Sequence, residues 1–232
     1  MRRVLITGAN RGLGLEFVRQ SLHAGDRVIA CCRHPGHASA LNALAGQHPN
    51  RLHVLPLDVA SQRSRDELLR ELPLVCDGLD CLINNAGVLP GGERFGQVDA
   101  QTLSATLATN TVGPFALTQA LAPMLAAGRA ARVANVSSTL GSITRADAFR
   151  TPSYAISKAA LNMATVQLAR AMAPQGVLVV ALHPGWVRTE MGGKDAELEP
   201  ADSVRGLLNV IHALRPEQSG QFVDYLGQPM PW

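Results

Sequence analysis

Lysine is almost missing from this chain. Of 21 lysines and arginines in 232 residues, only Lys158 and Lys194 are lysines. Tyrosine is as scarce, with Tyr154 and Tyr225 alone, and aromatic residues make up 4% of the chain. The arginines are scattered rather than clustered and the net charge is +3, a balance that argues against a nucleic-acid footprint. Four cysteines (Cys31, Cys32, Cys76, Cys81) form no C-x-x-C pair and have no histidine at metal-ligand spacing, so neither a metal site nor a disulfide framework is expected. Cys31 and Cys32 fall inside an apolar run and read as buried thiols of a reducing compartment, which makes the expected location cytoplasmic. No stretch approaches the ~18 apolar residues of a membrane span. The opening "MRRVLITGAN" superficially resembles a signal peptide, but its apolar run ends at Thr7-Gly8, too soon for an h-region. No G-x-S-x-G elbow is present, which disfavours a serine hydrolase.

What the chain does have is regular alternation. Short apolar, β-rich runs at Arg3–Thr7, Arg27–Cys32, Leu52–Leu57, Cys81–Asn84, Arg132–Ser137, Val177–Leu182 and Gln221–Tyr225 are separated by helical stretches. The helices are expected near Gly14–His23, Arg65–Leu72, Gln101–Leu125, Pro152–Met172 and Asp202–Leu214. Ser64 reads as an N-cap with Glu67 completing a capping box. The weakly patterned stretch 34–50 suggests a turn and one short helix. With no linker or repeat, residues 1–232 read as one α/β domain around a doubly wound parallel sheet of about seven strands.

"VLITGANRGLG" sets Gly8, Gly12 and Gly14 between the first strand and the first helix. Such a turn brings backbone N–H groups and a helix N-terminus to a phosphate, so a nucleotide is the expected ligand. The spacing is G-x3-G-x-G. Further along, Tyr154 and Lys158 stand four apart in "YAISK", within a predicted helix, and so share one face. A phenol is a poor proton donor–acceptor near neutral pH unless its anion is stabilised, and a nearby ammonium does that.

"TGANRGLG", "LDV", "NNAG", Asn110, "NVSS", "YAISK" and "HPGWVRTEM" occur in this order, and together they resemble the short-chain dehydrogenase/reductase family over nearly the whole chain. The ending "GQFVDYLGQPMPW" is similar to the branch of sniffer-type carbonyl reductases and bacterial C-factor proteins. The resemblance implies a Rossmann fold and hydride exchange between a nicotinamide and a small-molecule ketone, aldehyde or quinone. It also implies a homodimer or homotetramer assembled through the helices at 101–125 and 152–172. It assigns catalysis to Asn110, Ser138, Tyr154 and Lys158, with Tyr154 as general acid/base; Asn110 also reads as a helix-kink residue, since Gly113 and Pro114 follow it in "NTVGP". Ser137 is the competing serine, and Ser138 is preferred because the second serine of the pair fits the family's pattern.

Cofactor contacts are implied for Gly8, Asn10, Arg11, Gly12, Leu13, Gly14, Arg33, Asp58, Val59, Asn85, Ala86, Gly87, Tyr154, Lys158, Pro184, Gly185, Val187 and Thr189. At the end of the second strand, where an acidic residue would hold a ribose 2′-hydroxyl, stands Cys32, followed by Arg33. Together with Arg11 this favours a 2′-phosphate, so NADP(H) is the expected cofactor. His183 reads as structural. Trp186 either walls the pocket or packs, and the polar stretch after Ser138 is expected to border the substrate. The C-factor likeness leaves a second function class open, a nucleotide-binding signalling protein.

Overall fold

The computed structural model describes residues 1–232. Its strands are β1 (Arg3–Thr7), β2 (Arg27–Cys32), β3 (Leu52–Pro56), β4 (Cys81–Asn84), β5 (Arg132–Val136), β6 (Leu178–His183) and β7 (Phe222–Asp224). They form one sheet in the order β3-β2-β1-β4-β5-β6-β7, parallel throughout. The winding direction reverses between β1 and β4, and the crevice at the carboxyl ends of strands beside such a switch is where α/β sheets bind ligands. No helix is long and apolar enough to cross a membrane.

The helices are α1 (Gly12–His23), α2 (Ser39–Gln47), α3 (Gln62–Val75), α4 (Ala100–Leu107), α5 (Gly113–Ala126), α6 (Pro152–Met172) and α7 (Pro200–Ala213). Period-2 alternation in the strands sorts the core into two layers. Val4 and Ile6 join Phe17, Val18 and Leu22 of α1 and Leu207 and Ile211 of α7 on one face. Leu5 joins Leu68 and Leu72 of α3, Leu117 and Leu121 of α5 and Leu168 of α6 on the other. All four cysteines are free and buried in these layers, and burial pushes the Cys81 thiol up to about 12.

Two local expectations change. First, α3 begins three residues earlier than predicted: Ser61 is its N-cap, accepting from the Ser64 amide at 3.3 Å. The Ser64 hydroxyl instead accepts from the Asp58 amide at 2.9 Å, and Glu67 pairs with Arg63 rather than completing a capping box. Second, the helix expected over 101–125 is interrupted, at the kink that Asn110 suggests, by a π-helical turn at Ala108–Val112. Pro114 has no N–H to give the carbonyl four residues back, that of Asn110, so the ladder must slip there. The stretch 34–50 holds the turn and the one short helix expected of it, a 3₁₀ turn at Pro35–His37 and α2.

Candidate active site

The β1–α1 turn is shaped by its glycines. Gly8 and Gly12 have φ of 64° and 53°, in the left-handed region. A Cβ on Gly14 would lie 2.1 Å from the Gly8 carbonyl oxygen, and one on Gly8 2.9 Å from the Ala86 Cα. The turn is braced from β4: the Asn85 side-chain amide donates to the carbonyls of Thr7 (2.9 Å) and Gly8 (3.2 Å), while Thr7 Oγ1 accepts from the amides of Asn85 and Ala86 at 3.0 Å each. Asn85 and Ala86 therefore hold the loop. Thr7 is a brace that sequence reasoning missed.

Above this loop, α1 starts with no side-chain cap and no acidic residue in its first turn. Its leading N–H groups are free to meet an anion, and a glycine-lined cradle lies beside them, so the residues present fit a dinucleotide's phosphates. Asn10, Arg11 and Arg33 are exposed around it, Leu13 is half-buried, and Cys32 ends β2 uncharged. The Arg11 guanidinium is engaged by Glu190, so it reaches another anion only by giving up that pair. At the other rim, Asp58 accepts from the Ala60 amide at 3.0 Å, closing the turn that carries buried Val59.

Tyr154 and Lys158 lie on one face of α6, 8% and 4% exposed. The Lys158 ammonium donates to the Val136 carbonyl at 2.8 Å and sits 5.4 Å from the centre of the Tyr154 ring. Burial pushes the phenol up to about 12, with the neighbouring Ser138 hydroxyl acting in the opposite direction. It pushes the ammonium down to about 8. Burial thus works against the phenolate.

The two serines separate cleanly. Ser137 is buried and its hydroxyl donates to Asn162 Oδ1 at 2.6 Å. Ser138 is half-exposed, next to the phenol, and accepts from the Leu140 amide at 3.2 Å. The turn that follows is pressed onto α6, since a Cβ on Gly141 would lie 2.7 Å from Lys158 carbon atoms. His183 supports the same turn, its Nδ1 accepting from the Thr139 amide at 3.2 Å. Burial holds its imidazole down to about 4, so it is neutral at ordinary pH.

Asn110 is fully buried in the π-turn. Its side chain grips the Val88 backbone from both sides, accepting from the amide at 2.8 Å and donating to the carbonyl at 2.9 Å, and also donates to Ser157 Oγ at 2.9 Å. Gly87 is the floor between Asn110 and the lysine: a Cβ there would lie 3.3 Å from Asn110 Oδ1 and 3.7 Å from Lys158 Nζ. Ser157 and Asn162 escaped sequence reasoning, although both share the Tyr154–Lys158 face of α6.

The segment after β6 forms the far wall. Gly185 has φ 82°, the Pro184 carbonyl accepts from Ser203 at 2.6 Å, and Val187 is buried in a bridge to Leu198. Thr189 Oγ1 accepts from the Gly192 amide at 3.1 Å, and its methyl group lies 3.7 Å from where a Cβ on Gly12 would sit. This wall and the glycine loop therefore face each other closely. Trp186 is 57% exposed and tied to its own loop by a 2.8 Å bond to the Gly192 carbonyl, so it is a rim residue rather than a packed one.

A short chain dehydrogenase family model matches residues 2–199. The C-signal protein of Myxococcus xanthus is 46% identical over 159 residues, covering 68% of this chain and 96% of that protein. The carbonyl reductase Sniffer of D. melanogaster superposes with a TM-score of 0.95 at 38% identity over the full length of both chains. An NADPH-bound carbonyl reductase from chicken fatty liver gives 0.93 at 37% identity, covering 100% of this chain and 99% of that one. With a glycine loop, a Y-x3-K face and these likenesses in agreement, the chain belongs to the short-chain dehydrogenase/reductase family of oxidoreductases, on the branch of sniffer-type carbonyl reductases and C-factor proteins.

Proposed function

We propose that this protein is an NADP(H)-dependent reductase of ketones, aldehydes or quinones. The observation that carries the proposal is the buried Tyr154–Lys158 pair, with Ser138 beside the phenol and the glycine cradle across the same crevice. Arg11 and Arg33 would hold the 2′-phosphate, the first turn of α1 the pyrophosphate, and Asp58 and Val59 the adenine side. Pro184, Gly185, Val187 and Thr189 would cover the nicotinamide. NADPH bound there supplies the hydride.

The chain's own residues handle the oxygen. Ser138 Oγ donates a hydrogen bond to the carbonyl and fixes its direction. Tyr154 Oη gives up its proton as negative charge develops on that oxygen, a contribution of typically ~10²–10⁴ in rate. The Lys158 ammonium stabilises the resulting phenolate, and Asn110 keeps the floor at Gly87–Val88 in register and supports a water-linked proton path to Lys158. Because burial leaves the phenol protonated at neutral pH, the resting side chain is already the acid that reduction needs.

Likeness to C-signal favours a second reading, a nucleotide-binding signalling protein with little turnover. NADPH oxidation with a panel of carbonyl compounds separates the two. The reductase reading expects turnover with NADPH, much less with NADH, and loss of NADPH affinity in Arg33→Asp. Tight NADPH binding with no carbonyl reduced would support the signalling reading instead. Exposed Val112, Ile156 and Met163 lie on the π-turn and α6, the region we assign to a homodimer or homotetramer contact.

A further inference from the structure

The helix that carries Tyr154 has no cap of its own. Thr151 occupies the N-cap position in a left-handed conformation (φ 41°) and makes no side-chain bond to the helix. Its hydroxyl is buried without a partner. Such a start is unfavourable for a β-branched residue and leaves the first N–H groups of α6 to be met from elsewhere.

One of them, the Ser153 amide, is met by Glu93, sixty residues away in the irregular segment after β4. Its Oε2 accepts from the Ser153 amide at 3.2 Å, and its Oε1 accepts from the Ser153 hydroxyl. Ser153 is fully buried and directly precedes Tyr154. A carboxylate at this place also meets the positive end of the helix dipole.

The segment bearing Glu93 is otherwise weakly held. Gly91, Gly92 and Gly96 surround the glutamate, and Gly92 and Gly96 have φ near 80°. Upstream, the segment is fixed by the grip of Asn110 on Val88. Downstream, Phe95 meets Phe149 edge to face at 5.6 Å, and both rings are largely exposed. One strap therefore joins the π-turn holding Asn110 to the first turn of the helix holding Tyr154, and Glu93 is its anchor at the second end.

We propose that Glu93 is a positioning residue for the reaction: by capping α6 in place of Thr151, it sets the position of Tyr154 relative to Ser138 and fixes the strap that borders the substrate. This rests on the reductase reading. Small displacements of a proton donor weaken catalysis more than binding, so the loss should fall on kcat.

The test compares wild type, Glu93→Ala, Glu93→Gln and Ser153→Ala. The readouts are kcat and KM for a reduced carbonyl, NADPH affinity by fluorescence, and amide hydrogen exchange at Ser153 and Tyr154. Glu93→Ala is expected to lower kcat by about tenfold or more, to leave NADPH affinity within about twofold, and to speed exchange at Ser153. Glu93→Gln, which keeps one acceptor for the amide, should recover part of both losses. Ser153→Ala keeps the amide bond and should show the smaller defect, which covers the case in which Glu93→Ala fails to fold. Unchanged kcat in Glu93→Ala beside an active wild type would overturn the proposal, as would exchange at Ser153 unaltered by the substitution. If wild type reduced no carbonyl, the reductase reading would fail, and the exchange arm alone would decide whether Glu93 caps α6.

Discussion

Lys158 shows how a residue can be retained against stability. Its ammonium is buried, and burial lowers it to about 8, below the ~10.4 of a free lysine. Between those values the unfolded chain binds more protons than the folded one, so this group's contribution makes stability rise with pH from about 8 toward 10. At pH 7 the charged form carries the full penalty, up to about 3 kcal/mol, offset in part by the bond to the Val136 carbonyl. Lys158→Met is therefore expected to melt no lower than wild type at pH 7 and to lose the rise above pH 8, while turnover falls by about a hundredfold or more. Lys158→Arg keeps the charge but replaces a compact point donor with a planar fork, and is expected to lose turnover to a similar degree. Thermal melts across pH beside steady-state rates check both. This residue was legible in the sequence because a scarce lysine stood one helical turn from a scarce tyrosine. Glu93 was not, because it acts on the site through a contact from a distant segment that no local pattern encodes.

Among the elements, the glycine loop and the positions of the seven strands were legible, since short β-rich apolar runs and a strand–glycine–helix turn are local signals. The break before α5 was legible as a kink at Asn110, from the Gly113-Pro114 pair that follows it, but the start of α3 was not. Ser61 and Ser64 are both good caps by type, and the choice is made by the Asp58 amide, which takes the Ser64 hydroxyl. The π-turn depends on close approach: a Cβ on Gly113 would lie 2.7 Å from the Val59 carbonyl oxygen. Gly113→Ala should cost about 1–3 kcal/mol and, by shifting Asn110, lower activity in the protein that remains folded; denaturant titration and kcat measured together report this. The wall after β6 meets the glycine loop through an exposed pair, Arg11 with Glu190. Exposed pairs are worth ~0.2–1 kcal/mol, so Glu190→Gln, by releasing Arg11, should tighten NADPH binding by up to about fivefold. That gain should shrink at high salt and be absent for NADH; titrations of both cofactors at two ionic strengths decide it.

At the scale of the whole molecule, chemistry sits at one end of the sheet and the structural ties at the other. Asp80 accepts from the Arg3 amide and guanidinium and from the Arg129 amide, joining β1, β4 and the approach to β5. Burial pushes its carboxyl up, but the bonds from Arg3 and Arg129 outweigh this and bring it down to about 2. With the folded value depressed, its stabilisation is present above the unfolded ~3.9 and is lost as pH falls toward 2. Asp80→Asn should cost about 3 kcal/mol at neutral pH and flatten the acid limb of a stability profile, with little change in kcat where the variant is folded. This separation lets the crevice be tested independently of the frame. The most direct test of the central claim is NADPH oxidation with a reducible carbonyl in wild type and Tyr154→Phe, with NADPH affinity measured on both. Wild type is expected to be active and the variant slower by about 10²–10⁴, with nearly equal cofactor affinity; a variant that turns over like wild type would contradict the role given to Tyr154.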